Sequence, residues 1–311
     1  MSEKKIYTFT NDIDAVEVSA IAAHTEISSY DEDCITVEYD NPLDKPEFCA
    51  VLCGKRLTLK ETPTFKLFGT RLDGNYSITV HLPRKKFYEI KIKTASNGAE
   101  TTGIEAENFI LNTASGSVVI NGIFDNIKAK SASGDVKICG TAENTAKHLD
   151  IASASGNITT DQRAEEFSIS SASGNIEYNN AAGKGNISVT SGHISVDYAE
   201  WTDDLKISAV SGKITAYLPE DSGADIEFDG VSGLVKTDLG SRSGDLLNLG
   251  KGTRGQFGGS NVHKVSVNLV SGTALILQKK NGVEETAESA ETNENTASDE
   301  PAAASETKEM L

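Results

Sequence analysis

The 311-residue sequence predicts an all-β fold: a single parallel β-solenoid (β-helix) of about 18–22 residues per coil, with irregular N-terminal coils and a disordered acidic C-terminal tail. Three observations carry that expectation. A Ser-Gly pair recurs with its Gly at 116, 134, 156, 174, 192, 212, 233 and 272, at intervals of 18, 22, 18, 18, 20, 21 and 39 residues. Apolar residues stand at every second position on both sides of that Gly, which is the period of a strand and not of a helix. Aromatic residues make up only 6% of a chain that is 38% apolar, so Val, Ile, Leu and small side chains must build most of the core. That suits thin stacked layers.

Taken in chain order, residues 1–95 read as irregular capping coils. Ala15-Val-Glu-Val-Ser, Cys34-Ile-Thr-Val-Glu-Tyr, Arg56-Leu-Thr-Leu-Lys and Tyr76-Ser-Ile-Thr-Val-His-Leu-Pro alternate cleanly but lack the Ser-Gly corner. Terminal repeats are expected to be atypical because they cover the exposed end of the core. Residues 96–278 are the regular repeat. Phe109 and Leu111, Ile127 and Ala129, Leu149 and Ile151, and Phe167 and Ile169 stand seven and five positions before their Gly. Val118, Val136, Ile158 and Ile176 stand two positions after it. Each unit is therefore strand, corner, strand and return loop, stacked in parallel on its copies about 4.8 Å away. Gly fits the corner because a sharp turn there often needs a positive φ. Thr113, Ser131, Ser153, Ser171, Val189, Ala209, Gly230 and Leu269 precede the Gly by three positions, and an Ala/Val column follows them. The two columns cannot both point inward, and the alternation leaves the choice open.

Within the repeat, residues 240–261 are Gly-rich and alternate poorly. They read as an extended surface loop replacing one coil of the 39-residue interval. The final coil, Val265 to Leu277, is then expected to leave an open parallel edge. Residues 279–311 form the tail. From Gly282 on it holds nine acids against the single base Lys308, which accounts for −8 of the net charge of −17. Such a segment buries too little apolar surface to offset its conformational entropy.

No residue qualifies as catalytic, cofactor-binding or metal-ligating. Gly250-Lys-Gly-Thr-Arg-Gly matches a dinucleotide fingerprint, but that fingerprint works at a helix N-terminus, and Gln256-Phe-Gly-Gly-Ser cannot start a helix. Cys49 and Cys53, even with Cys34, lack the paired spacing of a zinc site, and with Cys139 they read as reduced thiols, buried and free. None of the eight corner serines is distinguished as a nucleophile. His24, His81, His148, His193 and His263 show no partner pattern. A β-helix carbohydrate-active enzyme needs charges stacked on one wall. The outward positions Ser117, Asp135, Asn157, Asn175, His193 and Lys213 supply no such cluster.

The run Asp204-Leu-Lys-Ile-Ser-Ala-Val-Ser-Gly-Lys-Ile-Thr-Ala-Tyr-Leu-Pro-Glu-Asp, followed by Val231-Ser-Gly, and the serial Ser-Ala-Ser-Gly-Asn-Ile units resemble the bacterial putative-adhesin family, a β-solenoid domain of unknown function. The resemblance covers roughly residues 10–278. It implies a parallel β-solenoid and supplies no catalytic residues.

These readings lead to a non-catalytic scaffold or binding module with an unknown protein partner, able to self-associate through solenoid ends. The alternative is a cell-surface adhesive or polysaccharide-binding module, and after that a carbohydrate-active enzyme. An acidic chain is not expected to bind nucleic acid. The sequence holds no apolar run long enough for a membrane span. With no secretory signal seen, the expected location is cytoplasmic.

Overall fold

A computed structural model describes residues 3–41, 47–62, 76–141, 144–241 and 246–279, within one compact unit, Met1–Lys279. The predicted tail lies outside the described residues from 280 onward. Every regular element described is a strand. The N-terminal part holds β1 (Glu3–Phe9), β2 (Ala15–Ala20), β3 (His24–Tyr30), β4 (Ile35–Asn41), β5 (Glu47–Cys53), β6 (Arg56–Thr62), β7 (Ser77–Pro83) and β8 (Lys86–Thr94). The regular repeats hold β9 (Ala99–Ser115), β10 (Val118–Ser133), β11 (Val136–Cys139), β12 (Thr145–Ser155), β13 (Ile158–Thr160), β14 (Arg163–Ser173), β15 (Ile176–Ala181), β16 (Lys184–Tyr198) and β17 (Leu205–Leu218). The chain then runs through β18 (Ser222–Thr237), β19 (Leu247–Leu249), β20 (Arg254–Gly258) and β21 (Asn261–Gln278).

The alternation read from sequence becomes two parallel walls meeting at the Ser-Gly corner. Before the corner the strands pair in the order β6, β2, β8, β9, β10, β12, β14, β16, β17, β21, β18. After it the order is β7, β3, β9, β10, β11, β13, β15, β16, β17, β21, β18. Equivalent positions pair, as in Ile151 with Ile169, Ile158 with Ile176 and Gly192 with Gly212. The apolar columns flanking the Gly are all buried, so each rung covers the next with stacked branched side chains. Rings enter at a few places, with Phe109 against Phe124, Phe167 edge-on to Tyr178 and Tyr198 edge-on to Trp201.

The stacking order departs from the chain order at both ends. The first coil, β2 with β3, lies between the second (β6 with β7) and the third (β8 with the start of β9). The last coil, β21, lies between β17 and β18. The open parallel edge expected at Val265–Leu277 is therefore absent: that coil is paired on both sides. Residues 240–261 also differ from the expected loop. They include β19 and β20, which pair antiparallel with β18 and cover the outermost rung. The other end has the same kind of cover, with β5 antiparallel on β6, β4 antiparallel on β7 and β1 antiparallel on β4. A reversed strand satisfies the edge but cannot continue the parallel repeat, so it ends the stack.

One buried side chain holds the N-terminal insertion. Glu61 of β6 is 1% exposed, and its Oε2 accepts hydrogen bonds from the backbone N–H of Ile21 at 2.6 Å, Ala22 at 3.0 Å and Ala23 at 3.4 Å. It thereby ties the turn between β2 and β3 to the coil outside it. The Tyr39 hydroxyl on β4 donates to its other oxygen at 3.5 Å.

Candidate functional site

The corner is shaped by how closely neighbouring rungs approach. Gly174 has a φ of +148°, and a Cβ there would lie 2.2 Å from the carbonyl oxygen of Gly156. Only Gly fits, for two reasons at once. The question of which column faces inward is settled by burial. Ser131, Ser153 and Ser171 are buried, and the Ser131 hydroxyl donates to the carbonyl of Gly134 at 3.1 Å. The Ala/Val column faces outward.

One position past the Gly is a ladder that the alternation did not announce. Asp135 Oδ1 accepts from the N–H of Asn157 at 2.8 Å, and Asn157 Oδ1 from Asn175 at 3.0 Å. Asn175 Oδ1 accepts from His193 at 2.9 Å, and His193 Nδ1 from Lys213 at 3.3 Å. Each outward side chain thus caps a backbone donor of the next rung, at the bend where the wall ladder is interrupted. These residues, weighed from sequence only as a possible charged wall, are rung connectors.

Just before the corner the outer surface forms an open groove of about 900 Å³ that runs along the stack. Two columns line it. Four positions before each Gly are Lys130, Ala152, Ser170, Ser188, Ser208, Asn268 and Asp229 in stacking order. Two positions before are Ala154, Ala172, Thr190, Val210, Val270 and Val231, so the apolar column grows taller toward the C-terminal end of the stack. Val210, Val270 and Val231 are 48%, 45% and 73% exposed, although sheet pairing elsewhere buries most β-branched residues. Lys130 stands at one end, and Lys251, from the turn between β19 and β20, at the other. Beside that turn, hydrogen bonding to Lys264 and the nearby Arg254 hold Glu227 below the usual carboxylate range.

The remaining residues weighed from sequence do not converge. The Gly250 motif forms a turn that leads into β20, a strand. Cys34 and Cys139 are half-buried, whereas Cys49 and Cys53 are exposed, which corrects the reading of buried thiols. The reason is the edge position of β5: Phe48, Ala50 and Leu52 pack on the core, and Cys49, Val51 and Cys53 face out. Among the described residues no three His, Cys, Asp or Glu side chains are placed to hold a metal ion. No helix among them is long and apolar enough to cross a membrane.

A family model described as Toastrack DUF4097 matches residues 13–276. Among solved structures, a putative lipid binding protein from Parabacteroides distasonis is similar over 90% of this chain and 97% of its own, at 17% identity and a TM-score of 0.53. A putative adhesin from Bacteroides fragilis is similar over 88% and 97%, at 14% identity and a TM-score of 0.47. No curated protein matches the sequence.

Proposed function

Because the chain belongs to the Toastrack DUF4097 family over residues 13–276, we propose that it is a non-catalytic binding module inside the cell that holds an extended segment of a partner protein along the corner groove. The carrying observation is the pair of outward columns, one with hydroxyl and amide side chains on its central rungs (Ser170, Ser188, Ser208 and Asn268) and one of methyl-bearing side chains from Ala154 to Val231. The backbone groups of this wall are already paired within the sheet, so recognition falls to these side chains. From the rung of Lys130 to that of Val231 is six steps of about 4.8 Å, room for roughly eight or nine residues of extended chain. The volume is within the usual range of ligand sites.

A photo-reactive residue replacing Val231 tests this in the protein's own cells, with one replacing exposed Tyr88 as control. The expected result is a discrete protein adduct from position 231 in the cytoplasmic fraction, lost when Val270→Asp is added. Equal adducts from both positions, or none, would refute the groove.

A second reading is an acyl chain lying on Val210, Val270 and Val231, which suits the exposed methyl groups and the similarity to the putative lipid binding protein from Parabacteroides distasonis. Saturable binding of a fluorescent fatty acid by the wild type, abolished by Val270→Asp, would favour it.

A further inference from the structure

The end strands of the stack are not equally protected. β19 and β20 are three and five residues long, and β1 carries Lys4 and Lys5. Short length and lysines are what keep an exposed edge from pairing. β5 has neither. Its sequence is Glu-Phe-Cys-Ala-Val-Leu-Cys, and among the described residues it pairs only with β6. Its outward row is Cys49, Val51 and Cys53, with Val51 51% exposed.

The hairpin sets the phase of that edge. Gly54 and Lys55 form a two-residue turn, with Gly54 at a φ of +59° and Cys53 opposite Arg56. In such a hairpin the flanking pair is hydrogen-bonded, and hydrogen-bonded pairs alternate along the ladder. Cys53, Val51 and Cys49 therefore turn their N–H and C=O groups toward β6. Phe48, Ala50 and Leu52 turn theirs toward the other edge, which has no partner strand among the described residues.

We propose that two copies of this chain associate by pairing β5 antiparallel to β5 about a two-fold axis at Val51. In that register Val51 faces Val51 and each Cys49 faces the Cys53 of the other copy. All three are non-hydrogen-bonded pairs, with Cα atoms about 4.5 Å apart, within the range a disulfide spans. Within one chain the two cysteines, four residues apart along a strand, are about 13 Å from each other and cannot bridge. A small-molecule disulfide such as oxidised glutathione locks the pair. One thiolate attacks it, releasing one glutathione thiol, and the facing cysteine then displaces the second glutathione from the mixed disulfide. Two protein thiols are oxidised for each oxidised glutathione reduced.

The test uses the full chain with oxidised glutathione, non-reducing electrophoresis and mass mapping of linked peptides. Wild type is expected to give a covalent dimer linked Cys49 to Cys53. Cys49→Ser alone and Cys53→Ser alone give no covalent dimer, because each remaining thiol faces a serine. An equal mixture of the two variants regains the dimer. Val51→Lys places like charges on the two-fold and abolishes linkage without changing the circular dichroism. Linkage within either single variant as efficient as in wild type, no linkage in wild type or in the mixture, or links through Cys34 or Cys139 would overturn the proposal.

Discussion

At a single corner, the strictness of Gly comes from backbone meeting backbone. Gly174→Val combines a positive φ with a Cβ placed 2.2 Å from a carbonyl of the rung below, and neither atom can swing aside. The φ strain alone costs about 1–3 kcal/mol. Asn175→Val next door removes one exposed rung-connecting acceptor, worth about 0.5–1.5 kcal/mol. Thermal melting should therefore show a larger fall for Gly174→Val, and equal midpoints would argue against the corner as described. The same logic explains a gap in the repeat. Gly185 stands where other units have an apolar residue, because the ring of Phe167 occupies the space, 1.8 Å from where a Cβ would be. Both effects show in sequence only as a Gly in a column. Which neighbour excludes the side chain is a fact of the stack.

Among elements, the inserted coils make the strongest departure from a simple solenoid. In a stack whose chain order is its spatial order, the last coil is peripheral and frays first. Here β21 is paired along its length with β17 and with β18. Hydrogen exchange should find β21 amides as slow as those of β17, with β19 and β20 faster. Fast exchange throughout β21 would contradict the insertion. Deleting residues from 261 onward should likewise disrupt β18 as well as remove β21, since β18 then loses its parallel neighbour. At the other end, Glu61→Ala leaves two buried backbone donors, on Ala22 and Ala23, without their acceptor, at about 1–3 kcal/mol each, whereas Glu61→Gln keeps an acceptor oxygen. The melting temperature should fall much further for Ala than for Gln. Similar losses would remove Glu61 as the tie between coils.

Over the whole molecule, ion pairs stitch rungs together and set the acid response. Asp125 is held below its ordinary value of 3.8 by hydrogen bonding to Lys86, and Glu227 below 4.5 by Lys264. Asp12 is lowered by Lys55 in the same way. A carboxyl group whose folded value lies below its unfolded one binds fewer protons when folded. Its contribution is complete above the unfolded value and is lost as pH falls through the folded one. Stability should therefore decline as pH drops below about 4.5, and less steeply in high salt, because these pairs are exposed and screened. Denaturant midpoints from pH 6 to pH 3 at two salt concentrations would check this. A midpoint that rises on acidification would contradict it.

Alternation about the Ser-Gly pair was enough to give the strands, the apolar columns on either side and the corner, because strand periodicity is local and Gly marks a position no side chain fits, but which column turns inward just before the Gly was left to burial. The order of the coils was beyond its reach. Rungs that share one pattern can stack on one another in any order, so nothing local forces β21 between β17 and β18 or the β2–β3 coil between its successors. The order within the groove's valine stripe follows from that swap, which puts Val270 between Val210 and Val231. The exposure of Cys49 and Cys53 follows from β5 being a reversed edge strand, a fact of pairing and not of composition. The period of the pattern determined what each rung is. The long-range pairing of interchangeable rungs decided where each one lies and which surfaces they make together.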